Sequence, residues 1–194
     1  MLVSAAEVLR ERGAAGVTID AVLARSGAPR GSVYHHFPAG RSQILREALD
    51  FAGDEITAKI DEAADISPIA LLRQFVELWR EKLISSDYTA GCPVLAAAVD
   101  SGPDELSSVA SDIFRRWSDA SRTAFVRAGF EAAESSALAH TTIAALEGAV
   151  VLCRSTRSLE PLEDVAQQME FLILARELVA RELAAKYGVP GGGS

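Results

Sequence analysis

TIDAVLARSGAPRGSVYHHFPAGRSQILR, residues 18–46, reads as two short helices around a tight turn, followed by the start of a third. Thr18 suits an N-cap, because its hydroxyl can accept from an otherwise unpaired amide of the first turn. Ile19, Val22 and Leu23 recur at helical spacing and give the segment one apolar face. Gly27 ends it where a positive φ is cheap for glycine, and Pro29 suits the entry to the next helix, where its missing N–H costs nothing. That second helix, Arg30 to about His36, carries arginine, glycine, serine, tyrosine and two histidines. A helix made only for packing rarely carries that set. One that lies in a DNA major groove does, because small residues allow close approach and donors reach phosphates and base edges.

Working outward, Gly31-Ser32-Val33-Tyr34-His35-His36-Phe37, then Pro38-Ala39-Gly40-Arg41 and Ile44-Leu45, closely resemble the helix-turn-helix signature of TetR-type transcriptional repressors. Gly16-Val17-Thr18-Ile19 and Ala28-Pro29-Arg30-Gly31 fit the same pattern in register. The resemblance covers about the first 46 residues and agrees in spacing and residue type at many positions at once. It implies an all-α protein: an N-terminal three-helix helix-turn-helix DNA-binding domain over residues 1–46, and a helical effector-binding and dimerisation domain over 47–188. Residues 189–194, rich in glycine, read as a flexible tail. Members of the family usually have a few more residues, often basic, ahead of the first helix, so a short N-terminal arm is expected to be absent or trimmed.

Net charge at first argues against DNA, since the whole chain stands at −8. Its distribution removes the objection. Residues 1–46 hold six arginines against Glu7, Glu11 and Asp20, a net of +3, and the remainder holds 13 basic against 24 acidic residues, a net of −11. The positive field coincides with the motif, and the acidic remainder discourages indiscriminate DNA binding. The 49% hydrophobic content suffices for a sizeable core. No run of about 18 apolar residues is free of charge, and the N-terminus lacks a basic leader with a cleavage site, so neither a membrane span nor a signal peptide is expected and the protein reads as cytoplasmic. Cys92 and Cys153 are too few for a disulfide framework, and no C-x-x-C pair points to zinc. No metal or cofactor is expected.

Nearly all of the rest reads as helix. Leu2 to Gly13 forms a first helix, Ser42 to about Ala64 a long fourth one linking the two domains, and Ser67-Pro68 opens a fifth with Leu71, Leu72, Phe75, Leu78, Trp79 and Leu83 at the 3.6 period. A short apolar helix starts near Pro93, Ser101-Gly102-Pro103 breaks it, and a seventh runs to about Ala128. The last two, Ser135 to Arg154 and Pro161 to Tyr187, are apolar on most faces and must be buried on most faces. A subunit interface is the economical cover, with Ala145, Gly148, Ala149, Leu152, Leu172 and Leu174 as its candidates and a homodimer as the expected assembly.

By the resemblance, Thr18, Arg30, Gly31, Ser32, Tyr34, His35, His36 and Arg41 face a double-stranded DNA operator. Tyr34 and His36 lie near phosphates, Arg30, Ser32 and His35 near base edges or neighbouring phosphates, and Arg41 at a phosphate beside the fourth helix. Because arginine grips guanine through two hydrogen bonds, Arg30 is the leading specificity residue. Val33 and Phe37 are expected to face inward. Gly91-Cys92-Pro93-Val94-Leu95-Ala96, with Leu146-Glu147-Gly148-Ala149 and Arg154 later, resembles the regulatory domain of the LmrA/YxaF-like subgroup. That resemblance implies a chamber for a small-molecule effector, with Phe75, Trp79, Cys92, Phe114 and Trp117 as linings that could equally be core. Cys92 reads as an inert small hydrophobe, with redox sensing or catalysis with His140 as rivals. Glu147, in an apolar helix, needs Arg154, another arginine or a ligand donor as partner. The combined expectation is a ligand-responsive repressor and not an enzyme. A helical interaction module without operator binding is the alternative.

Overall fold

The computed structural model describes residues 1–99 and 104–187. The expected break at Ser101-Gly102-Pro103 and the glycine-rich tail at 189–194 lie outside the described residues. Among the described residues there are nine helices and no strands: α1 Leu2–Gly16, α2 Ile19–Ser26, α3 Arg30–His36, α4 Arg41–Ala64, α5 Pro68–Ser85, α6 Pro93–Val99, α7 Asp104–Arg127, α8 Ala132–Thr156 and α9 Glu160–Tyr187. Local chemistry sets several boundaries. Thr18 Oγ1 accepts from the Ala21 amide at 3.1 Å, and Gly27 closes α2 in the left-handed region at φ 66°. Ser67 caps α5 in the same way through the Ala70 amide. Pro29 stands one position earlier than the first helical residue, as the extended N-cap of α3.

The expected end of the first helix at Gly13 is half right. Gly13 is non-helical (φ 68°, ψ −177°), and the chain then resumes helix as far as Gly16. This kink interrupts the amide-to-carbonyl ladder, so carbonyls in the turn before it need donors from elsewhere. The Gly91 amide donates to Arg10 O at 2.9 Å, and Arg154 Nη2 donates to Glu11 O at 3.3 Å. Arg10 itself donates from Nη2 to Glu55 of α4 at 2.5 Å, and Glu55 also accepts from Lys82 of α5 at 2.8 Å.

The continuous helix α4 crosses the expected domain boundary at 46/47 and packs against α1, α5, α6 and α7. Ile44, Leu45, Ala48, Leu49, Ala52, Ile56 and Ile60 are buried along it, in one core continuous between the two halves of the chain. At Gly53 the α4 backbone lies so close to α7 that an added Cβ would fall 2.6 Å from Ile113 Cδ1. Beside it the aromatics interlock. Phe75 meets Trp79 and Trp117 at centroid distances of 6.2 and 6.5 Å, and Phe114 meets Trp117 edge-on at 5.3 Å. Trp117 Nε1 donates to Thr57 Oγ1 at 2.9 Å, which lets its polar end sit inside.

By length and composition α8 is apolar enough to cross a membrane, but Glu134, Glu147 and Arg154 interrupt it, so it holds no charge-free run of about 18 residues. The helix packs on α7 and α9 and sends Leu138, Leu146, Val150 and Cys153 into the core, with Ser135, Thr142 and Glu147 also buried. Its other side is uncovered. Val151 and Leu152 stand half exposed, and on α9 Phe171, at 70% exposure, is joined by Leu174, Leu178 and Val179. One subunit therefore leaves apolar faces of both helices uncovered, where a subunit interface was expected as cover.

Candidate nucleic-acid interface and effector chamber

The outward face of α3 is built by what turns inward. Val33 is fully buried, and Phe37 just past the helix is nearly so, so these two seat the seven-residue helix on the N-terminal core. Helical geometry then turns Arg30, Gly31, Tyr34, His35 and His36 to solvent, with Tyr34 at 56% exposure. Ser32 is half-buried, and its hydroxyl donates to Pro29 O at 2.6 Å. Gly31 has open space where a Cβ would stand, so a surface could approach the backbone there. His35 and His36 meet edge-on at 5.1 Å, both exposed.

Two arginines of this head also make bonds within the chain that the sequence did not reveal. Arg30 Nη1 pairs with Asp20 of α2 at 2.6 Å, both groups well exposed. The carboxylate holds the guanidinium over the gap between α2 and α3, and it must give way before Arg30 can meet a base or phosphate. Arg41, expected at a phosphate, donates from Nε to Val17 O at 2.8 Å and from Nη2 to Ala14 O at 2.7 Å. Those two donors are committed to the turn between α1 and α2, because carbonyls at the end of α1 have no helical amides left to accept from. Thr18 acts as the α2 cap described above. Arg25, outside the candidate set, grips Glu11 through two hydrogen bonds and Glu7 through a third, which fixes α2 on α1 and holds the Glu11 carboxyl below its ordinary range.

In the C-terminal half, a cavity of about 470 Å³ opens between α6, α7 and α8. Leu95 comes from α6, Phe114 and Ser118 from α7, and Ile143, Ala144, Gly148 and Val151 from α8. His140, exposed, also borders it. Of the five lining residues expected from sequence, Phe114 alone borders this cavity. Trp79 and Trp117 are completely buried, and Phe75 and Cys92 nearly so; Phe75 packs against both tryptophans in the core, and the Trp79 indole N–H is left without a partner. Sequence reasoning missed the α8 wall, although the small residues Ala144 and Gly148 marked it.

Glu147 also lines the cavity. It is 4% exposed, and neither carboxylate oxygen has a hydrogen-bond partner. Arg154, the expected partner, is engaged with α1 instead. Burial pushes the Glu147 carboxyl up to about 7, outweighing the neighbouring Cys92 thiol, a weak donor that acts in the opposite direction. Burial also pushes the Cys92 thiol well above its ordinary range, with Glu147 adding to the effect. That is opposite to what a nucleophile or redox sensor requires.

Of the six interface candidates, Leu152 and Leu174 are about half exposed and Gly148 is exposed. Ala145 and Leu172 are half-buried, whereas Ala149 is buried inside the subunit by the helix it packs on. Phe171 and Leu178 share a helix face with Leu174, at i, i+7 and i+3, and could have been found from that spacing; Val179 stands exposed beside Leu178.

Residues 1–48 match the family model described as bacterial regulatory proteins, tetR family, and residues 68–168 match that of the transcriptional regulator LmrA/YxaF-like C-terminal domain. An uncharacterized HTH-type transcriptional regulator of Mycobacterium tuberculosis is 41% identical over 182 residues, covering 90% of this chain and 93% of the relative. The uncharacterized HTH-type transcriptional regulator YxaF of Bacillus subtilis is 24% identical over 177 residues, covering 89% and 93%. The crystal structure of regulatory protein TetR from Rhodobacter sphaeroides superimposes with a TM-score of 0.76 at 21% identity, covering 87% of this chain and 94% of that one.

Proposed function

Because the chain belongs to the TetR family of transcriptional regulators, we propose that it is a homodimeric repressor released from a near-palindromic operator by a small apolar or aromatic effector. The observation that carries this reading is the outward face of α3, where Arg30, Gly31, Tyr34, His35 and His36 stand exposed on a positively charged island. Two such heads, related by the dimer axis, would enter successive major grooves. Tyr34 and His36 would meet phosphates and Arg30 a guanine edge, with Ser32 and His35 beside it. Thr18 supports this head by capping α2, and Arg41 by bracing the α1–α2 turn, with its remaining N–H groups facing the operator. The apolar strip of α8 and α9 supports the pairing, since Leu152, Phe171, Leu174 and Leu178 would otherwise remain in water. Such a regulator works on the chromosome, in the cytoplasm.

Release follows from how the cavity is tied to the head. Leu95 on the cavity wall lies three residues from Cys92, and Gly91 beside it donates to α1. Val151 on the opposite wall lies one turn from Arg154, which donates to the next carbonyl of α1. A ligand that spreads α6 from α8 therefore pulls on adjacent carbonyls of the DNA head. It shifts operator affinity only by its preference for one arrangement over the other, typically about 1–3 kcal/mol.

Operator selection from random duplexes, followed by fluorescence anisotropy, tests the reading. Binding that falls steeply with salt and with Arg30→Ala is expected. Selected duplexes that bind no better than random ones would refute it and favour a helical interaction module.

A further inference from the structure

The cavity between α6, α7 and α8 combines an apolar wall with one buried carboxylate that has no partner. Glu147 is 96% covered, yet both its oxygens lack a hydrogen bond, and among the described lining residues no arginine or lysine faces it. A buried carboxylate left without donors costs several kilocalories per mole, and folded proteins keep such groups where something else completes them. Among the described residues the other polar lining groups are Ser118 and the exposed His140, and the Cys92 thiol, a weak donor, lies beside Glu147. The mouth is open, since Ala144, Gly148 and Val151 are all exposed, and small side chains there leave room for a bulky body to pass.

We infer that this cavity binds an aromatic or polycyclic amine whose ammonium group pairs with Glu147 while its rings lie against Phe114, Ile143 and Val151. This rests on the effector-binding reading above and names the chemical class it leaves open. An ammonium makes a charge-assisted hydrogen bond, roughly twice as strong as a neutral one, and restores to the carboxylate the charge balance that burial removed. Phe114 adds a π face that favours a cation over a neutral donor. The same carboxylate repels anions, so an acid of the same shape is excluded. A volume of about 470 Å³ accommodates three fused rings and a short amine arm.

Anthracenylmethylamine, anthracenylmethanol and anthracenecarboxylate, titrated by fluorescence into the full chain at about pH 8, test the inference. The amine is expected to bind at least about tenfold tighter than the alcohol, and the carboxylate more weakly than both. Glu147→Gln should lower the amine to the affinity of the alcohol while changing the alcohol less than about threefold. Glu147→Leu serves as the second variant and should behave alike, with circular dichroism and sedimentation confirming that both remain folded. Equal affinity for amine and alcohol overturns the inference. So does a preference that survives both substitutions, or failure of all three probes to bind, as when a partner subunit closes the mouth. Running the same titrations on the operator-bound protein separates the two readings. Amine binding through Glu147 without operator release upholds the site and defeats the release mechanism. Operator binding by a protein that shows no amine preference does the reverse.

Discussion

Asp20→Asn should make this protein bind its operator more tightly. The carboxylate of Asp20 holds Arg30 at 2.6 Å, and both side chains are largely in solvent. An exposed pair of this kind is worth at most about 1 kcal/mol, so releasing the arginine returns up to that amount per head. Two heads acting on one operator double it to about 2 kcal/mol, an upper bound of roughly thirtyfold in affinity. Removing a negative charge from a surface that approaches phosphates acts in the same direction. Against this, Asp20 lies in the first turn of α2, where an acidic residue supports the helix dipole by about 0.3–1 kcal/mol, so a small loss of thermal stability accompanies the gain. Anisotropy on a selected duplex at fixed salt should therefore show tightening between about threefold and thirtyfold. Arg30→Ala should weaken binding, and if Arg30 contacts a phosphate it should also reduce the salt slope by about 0.9 per contact. An Asp20→Asn protein that melts normally but binds no more tightly would mean that the ion pair does not restrain Arg30 from DNA.

Glu147 makes stability depend on pH. Its folded pKa of about 7 exceeds the ordinary 4.5, so its stabilising effect is complete below about pH 4.5 and lost as pH rises through 7. The full swing is about 3 kcal/mol. The stability of Glu147→Gln minus that of the native chain should thus rise by up to this amount between pH 4.5 and 8 in urea titrations. Cys92 keeps its proton throughout, and His140 is common to both proteins, so a flat difference would contradict the burial argument. Leu152→Glu combined with Leu174→Glu should leave helicity intact, convert the dimer to a monomer by sedimentation, and weaken operator binding by at least about a hundredfold through lost bivalency. Gly53→Ala drives a methyl toward Ile113; overpacking of about 1–3 kcal/mol outweighs up to about 1 kcal/mol of helix propensity, and the melting temperature should drop by a few degrees. A higher melting temperature would show that α4 and α7 have slack.

What could be read from the sequence was mostly local. The Thr18 and Ser67 caps and the Gly27 stop each act within a few residues of chain, and the helical spacing of Ile19, Val22 and Leu23 needs no distant partner. The bonds of Arg41 to Ala14 and Val17 were not legible, because these acceptors lie more than twenty residues away and arginine at a helix start looks the same whether it faces phosphate or carbonyl. Asp20 and Arg30 are ten residues apart on different helices, so their pairing depends on a crossing that periodicity does not encode. Trp79 and Trp117 could not be assigned to core or chamber, since both environments select the same side chains. Glu147 stood out as a charge in an apolar helix, but whether Arg154 would reach it depended on where α1 kinks.

The kink at Gly13 also bears on how such a protein can be recombined. Two carbonyls of the DNA head, Arg10 and Glu11, draw their donors from Gly91 and Arg154, which belong to the other half of the chain. The head is therefore not an interchangeable cassette. A chimera joined inside α4 would bring a foreign loop and a foreign eighth helix to these acceptors, leaving them unmet unless glycine and arginine were transplanted in register. Swapping sensors between such regulators thus becomes a problem of matching two hydrogen bonds rather than of choosing a splice site.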